Sequence, residues 1–117
     1  MAERKTFEVT VEEVYSGDDL VLMVNLGVGG LYKKVRARLV GVDTPSAFQA
    51  PRNTEAGRVR DLVKSSVGRG KCSIELHSEG KGGWLVTLFV NTNGHEMNIN
   101  SMLAERGYVF TPQTGSK

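Results

Sequence analysis

Apolar and polar positions alternate from the start of the chain. In "TFEVTVEEV", Phe7, Val9 and Val11 fall on one side of a period-two pattern, as in a half-buried strand. The phase slips at Glu12-Glu13 before Val14, which predicts a β-bulge. "YSGDD" reads as a tight turn, and "LVLMVNL" as a second, more fully buried strand. "GVGG" interrupts the pattern, and "LYKKVRARLVGV" reads as a third strand that runs to Val42. This strand sets Val35, Ala37 and Leu39 on the core face, so Arg36 and Arg38 share the opposite one. In "TEAGRVRDLVKSSV" the period becomes helical, with Val59, Leu62, Val63 and Val67 on one face and Thr54 or Asn53 placed to cap. "KCSIELHS" and "WLVTLFVN" read as the fourth and fifth strands, joined by the glycine-rich "EGKGG". "NTNG" is a turn, and "NINSMLAERG" a short helix with Asn98 or Asn100 as cap and Gly107 as its stop.

Three strands, a helix, two strands and a helix fit a mainly β (α+β) fold. The expected architecture is a five-stranded Greek-key OB-fold barrel with two or three short helices. At 117 residues the chain is expected to form a single domain over 1–117, with its core at about 7–110 and a polar tail at 111–117. Barrels of this type often present one face to single-stranded nucleic acid.

Composition changes this picture little: 39% hydrophobic and 24% charged residues are ordinary for a globular chain. A net charge of +2 does not identify a nucleic-acid binder, but its distribution is uneven. "YKKVRAR" and "RNTEAGRVRDLVK" are basic, whereas "VEEVYSGDD" is acidic. No apolar run approaches the length of a membrane span, and the first residues lack a signal-peptide apolar segment. The expectation is therefore an intracellular, cytoplasmic protein with no membrane partner. Cys72 is the only cysteine, excludes an intrachain disulfide, and reads as a buried, inert thiol. His77 and His95 have no ligand partner at metal spacing and read as surface or turn residues.

The chemistry concentrates in "RLVGVDTPSAFQAP", Arg38 to Pro51, where an aspartate leaves a strand that carries arginines. Together with "SGDD" after strand one, "TEA" opening the helix and "NINSMLAERGYV" near the end, this stretch resembles the staphylococcal nuclease family. The resemblance runs from roughly Phe7 to Phe110. Members of that family are calcium-dependent phosphodiesterases, or non-cleaving copies inside larger RNA-binding proteins. The resemblance implies a Ca2+ site made by Asp18, Asp43 and the Thr44 carbonyl, the oxygen-only ligation that a hard dication prefers. Asp19 adds a further carboxylate where the family usually has threonine. Arg38 matches the arginine that contacts the scissile phosphate, where a planar guanidinium stabilises developing charge. Arg36, Tyr32 and Lys81 are further binding candidates, with Tyr15 and Phe48 as aromatic neighbours.

Two positions depart from the family's pattern. Ser46 stands where the family has the glutamate that activates or positions the attacking water. Gly83 stands where it has a second arginine, and Lys81 is the nearby cation. Loss of a general base costs about 10²–10⁴ in rate. Loss of a preorganised charge stabiliser costs about 10²–10³. The expected function is a module that binds single-stranded DNA, RNA or a protein partner, with phosphodiesterase activity lost or severely weakened. One alternative is an active calcium-dependent nuclease in which Asp19 or Glu55 replaces the missing acid and Lys81 the missing arginine. Another is a purely structural protein-interaction domain.

Overall fold

Two long strands organise the barrel, one serving two neighbours and the other three. The computed structural model describes residues 5–45, 51, 53–80 and 82–109. The first long strand, β1 (Lys5–Ser16), pairs antiparallel with β4 (Lys71–Gly80) through Lys5–Val9. It then pairs with β2 (Asp19–Asn25) from Val9 to Ser16. Between these partners it must bend, and register shifts at Val11/Glu13 and Val14/Ser16 provide the bulges. The first is the phase slip that the sequence predicts at Glu12-Glu13.

The other long strand is β5 (Gly83–Thr92), which runs antiparallel to β4. Its N-terminal part pairs in parallel with β3 (Tyr32–Leu39), matching Ala37, Arg38 and Leu39 with Trp84, Leu85 and Val86. Because β3 also pairs with β2, this contact closes a five-stranded barrel. The C-terminal part of β5 pairs instead with a short sixth strand, β6 (His95–Asn98). That strand was not expected: three of its four residues are exposed, so it carries no alternation to detect. The fold class is as expected, a mainly β OB-fold barrel, with α1 (Glu55–Val67) and α2 (Ile99–Glu105) as its helices among the described residues.

The core-face assignments for β3 hold, since Val35, Ala37 and Leu39 are buried while Arg36 and Arg38 are exposed. The strand stops at Leu39 rather than Val42. Gly41, at φ +76°, turns the chain there, and Val42 makes only an isolated bridge to Val109. The tight turn expected over "YSGDD" is confined to Gly17-Asp18, with Asp19 already paired to Arg38 across β2 and β3.

Helix α1 begins where Thr54 Oγ1 accepts the Gly57 N–H at 3.1 Å. Its Val59 and Val63 enter the core beside Leu20, Leu22, Val86 and Leu88. The helix also seats closely on the β1–β2 turn: a Cβ on Gly17 would lie 2.5 Å from Val59 Cγ1 and 2.8 Å from Thr44 Cγ2. Glycine at position 17 therefore lets helix, turn and Thr44 converge.

At the other end, α2 is capped by Asn98, whose side chain accepts the Ser101 N–H at 2.9 Å. Gly107, at φ +100°, follows its last turn as expected. Asn100 is the polar rivet of the core. Its Oδ1 accepts the Leu88 N–H at 3.0 Å, while its Nδ2 donates to Val40 O at 2.9 Å and Val86 O at 3.1 Å. One side chain thus ties α2 to β5 and to the exit of β3. Trp84 packs at the start of β5 against Phe7, with ring centroids 5.9 Å apart.

Candidate functional site

The site forms where the Gly17-Asp18 turn meets the exit of β3. Asp18 is only 3% exposed, so its carboxylate needs partners to replace water. Ser16 Oγ donates to Asp18 Oδ1 at 3.1 Å and Thr44 Oγ1 donates to the same oxygen at 2.9 Å. Arg38 Nη2 reaches Asp18 Oδ2 at 3.4 Å, a long contact. The Asp18 backbone carbonyl accepts the Leu39 N–H at 3.0 Å, which fixes the turn against β3.

Asp19 points to a different cation. Arg36 Nε donates to Asp19 Oδ1 at 2.6 Å and its Nη2 donates to Oδ2 at 2.7 Å, a bidentate pair. The guanidinium carbon of Arg36 also lies 4.6 Å from the centroid of the Tyr15 ring. The Asp19 hydrogen bond holds Arg36 above the usual arginine pKa, against an opposing desolvation by burial. Both arginines stay accessible, with side chains 51% exposed at Arg36 and 55% at Arg38.

The residues expected to form the site are thus partly gathered. Asp18, Thr44 and Arg38 meet, and Asp19 and Arg36 form an adjoining pair. Asp43 is exposed; its N–H donates to Tyr108 O at 3.2 Å, and its carboxylate has no partner among the described residues. Thr44 acts here through its hydroxyl, on Asp18. Tyr32 is not brought to the cluster: six residues up β3 from Arg38, it stands roughly 20 Å away along the strand. Ser46, Phe48 and Lys81 lie outside the described residues.

Gly83 is explained by the barrel itself. The parallel β3–β5 pairing brings the Arg36 carbonyl oxygen to 2.5 Å from where a Cβ on Gly83 would sit, and φ is +122°. No L side chain fits there without moving β3 or β5. Among residues the sequence reading missed, Ser16 is the one that touches Asp18, and only the register slip at Val14/Ser16 signals its turn inward. Tyr108 was missed too. Its hydroxyl donates to Glu55 Oε2 at 2.8 Å, which raises the phenol pKa and ties the start of α1 to the chain after α2.

As placed, Asp18 and Asp19 offer a calcium ion no free carboxylate, and Asp43 alone of the expected acids is unpartnered among the described residues. Both Asp19 oxygens are taken by Arg36, and Asp18 already accepts from two hydroxyls and an arginine. Among the described residues, no three acids, histidines or cysteines are grouped to hold a metal. The arrangement is an arginine-neutralised carboxylate pair in which Arg38, held by one long contact, keeps guanidinium donors facing solvent. A cavity of about 810 Å³ lies elsewhere, between β1, the β2–β3 hairpin and the end of α1; Tyr32 lines it, and Asp18 and Arg38 do not. No family model matches the chain, and no curated protein matches it either.

Proposed function

We propose that this chain is a single-stranded nucleic-acid-binding module of the staphylococcal nuclease type, its phosphodiesterase chemistry lost or severely weakened. The observation that carries the reading is the outer face of β3. Lys34, Arg36 and Arg38 occupy alternate positions there, all exposed, on a strand that ends at the Asp18 turn. Alternate residues of a strand share one face and stand roughly 6.7 Å apart, so the three cations form a straight ladder. A phosphodiester backbone laid along β3 would accept hydrogen bonds from Lys34 and Arg38, with Arg36 held between them by Asp19. Arg38 is the best-placed rung, since its 3.4 Å contact with Asp18 leaves most of its guanidinium to solvent.

The same geometry argues against turnover. Water activation needs a base, and a serine hydroxyl at position 46 is not one near neutral pH. Of the carboxylates that a metal would use, Asp18 and Asp19 are occupied by arginines and hydroxyls, which leaves Asp43 as the one free acid among them. Binding is therefore expected to be independent of calcium.

The test follows fluorescence anisotropy of labelled single-stranded DNA and RNA, with calcium and with chelator, and checks the substrate on a gel. The expected result is salt-sensitive binding, unchanged by chelator, with substrate intact. Arg38→Ala lowers the slope of log affinity against log salt by about 0.7, the value for one phosphate contact on a single strand. Cleavage that needs calcium and disappears in Asp43→Asn establishes the active nuclease instead. Neither binding nor cleavage leaves the protein-interaction domain.

A further inference from the structure

We propose that the β2–β3 hairpin tip docks end-on into the interfacial region of an anionic lipid bilayer. Leu26, Val28, Leu31 and Tyr32 are 39%, 61%, 56% and 56% exposed. They make up four of the seven large hydrophobic residues exposed among those described, gathered within seven consecutive positions. Scattered exposed leucines need no explanation, but a cluster at one projecting tip does.

The tip is free-standing and ordered. Cβ atoms built on Gly27, Gly29 and Gly30 would meet nothing within 4 Å. Yet the Leu26 N–H donates to Leu31 O at 3.0 Å, the Leu31 N–H to Val28 O at 2.7 Å, and the Gly27 N–H to Asn25 Oδ1 at 2.8 Å. Several backbone groups that would meet a less polar medium are thus already satisfied.

Charge decides between occupants. Directly behind the apolar residues come Tyr32, Lys33 and Lys34. Successive strand residues point to opposite faces, so the two lysines straddle the hairpin. An apolar tip, an aromatic ring behind it and cations on both sides match the layers of an anionic membrane surface: acyl boundary, headgroups and surface charge. A second copy is the poorer occupant, because a narrow tip offers much less than the roughly 800 Å² per partner of a stable interface. Nucleic acid could use Tyr32 and the lysines but not three aliphatic side chains. Among the described residues no helix is long and apolar enough to cross a membrane, and a docking tip requires none. The expectation of no membrane partner rested on spanning alone.

The experiment is co-sedimentation of the full chain with phosphatidylserine-rich vesicles and with pure phosphatidylcholine vesicles. The expected result is binding to the anionic vesicles, weakened about a hundredfold by Val28→Asp with Leu31→Asp. Lys33→Ala with Lys34→Ala weakens it about thirtyfold. All four positions are exposed, so unchanged circular dichroism and melting confirm that the variants fold. A Val28→Trp protein adds a fluorescence blue shift on anionic vesicles. The proposal is overturned by absence of vesicle binding, or by vesicle binding that the tip variants leave intact. It is equally overturned if the apolar variants abolish single-stranded RNA binding or dissolve a dimer in protein that ignores vesicles.

Discussion

Replacing Asn100 with alanine tests how the core supports the site. Its three hydrogen bonds do not count equally. Val86 O also accepts the Val40 N–H at 2.9 Å, so it keeps a partner when Asn100 Nδ2 is removed. The Leu88 N–H and Val40 O lose the side-chain partner that faced them. Stranding a buried polar group costs about 1–3 kcal/mol; the Leu88 N–H is buried and the Val40 carbonyl only partly so, which gives about 2–4 kcal/mol for the two. That is a large share of the roughly 5–15 kcal/mol available to a domain. The assay is urea denaturation followed by the fluorescence of Trp84, the only tryptophan, which is buried in the native state. We expect a lower midpoint with unchanged urea dependence, and a melting temperature lower by about 10 °C or more. Asn100→Asp is expected to be worse than alanine at neutral pH, because a carboxylate would face the two carbonyls. It recovers on acidification, when the introduced carboxyl can donate one bond. A loss below about 1 kcal/mol in Asn100→Ala would refute the rivet assignment, as it would mean that water or relaxation replaces those bonds at little cost.

Three further outcomes follow from the same geometry. A double-mutant cycle with Asp18→Asn and Arg38→Ala should give a coupling of about 1 kcal/mol in urea denaturation at low salt, falling as salt is added. Coupling indistinguishable from zero would mean that the Ser16 and Thr44 hydroxyls alone satisfy Asp18. Gly83→Ala should destabilise by about 3 kcal/mol or more, from positive-φ strain plus the clash with Arg36 O; a neutral effect in thermal melting would show that β3 and β5 yield easily. Burial raises the Cys72 thiol pKa. Its reaction with a disulfide reagent near pH ~8.5 should therefore lag that of a free cysteine and quicken on unfolding. Because the folded value is raised, this group contributes stability below the usual thiol pKa that is lost as pH rises through the folded value; matching native and unfolded reaction rates would contradict the shift.

The sequence displays what packing makes periodic. β1, its bulge, β3's two faces and α1's apolar stripe are all legible because burial forces alternation at two or 3.6 residues. β6 escapes because edge pairing uses backbone groups and leaves its side chains largely in solvent. The site divides along the same line. Asp18, Thr44 and Arg38 could be singled out from a motif, and all three meet. Their partners could not be assigned, because pairing depends on register. Asp19 sits opposite Arg38 in the β2–β3 ladder, yet its carboxylate reaches diagonally to Arg36. The Asp18 carboxylate, turned inward by Gly17, takes Arg38 instead. Tyr32, close in sequence to the cations, ends far from Asp18 because an extended strand separates its residues as widely as a chain can.

That exchange of partners also fixes what the cluster is able to do. A carboxylate buried like Asp18 must be neutralised or hydrogen-bonded, and an arginine that neutralises it is partly withdrawn from any phosphate. The two arginines resolve this differently. Arg36, with two short bonds to Asp19 and a ring beneath it, is committed to the protein. Arg38, held by one long bond and more than half exposed, keeps donors for an outside anion. Binding through Arg38 therefore costs the fold little, whereas recruiting Arg36 means breaking a bidentate pair. The changes that would complete the nuclease pattern are more constrained still. Placing an acid at Ser46 changes one residue, but an arginine at Gly83 has no room for even its first carbon beside Arg36 O. A second phosphate-facing cation must come from a position whose side chain already points outward. Leu85, paired in register with Arg38 and exposed, is such a position. The backbone pairing that closes the barrel thus also shapes the proposed site: it leaves the outer face of β3 open and bars a side chain at position 83.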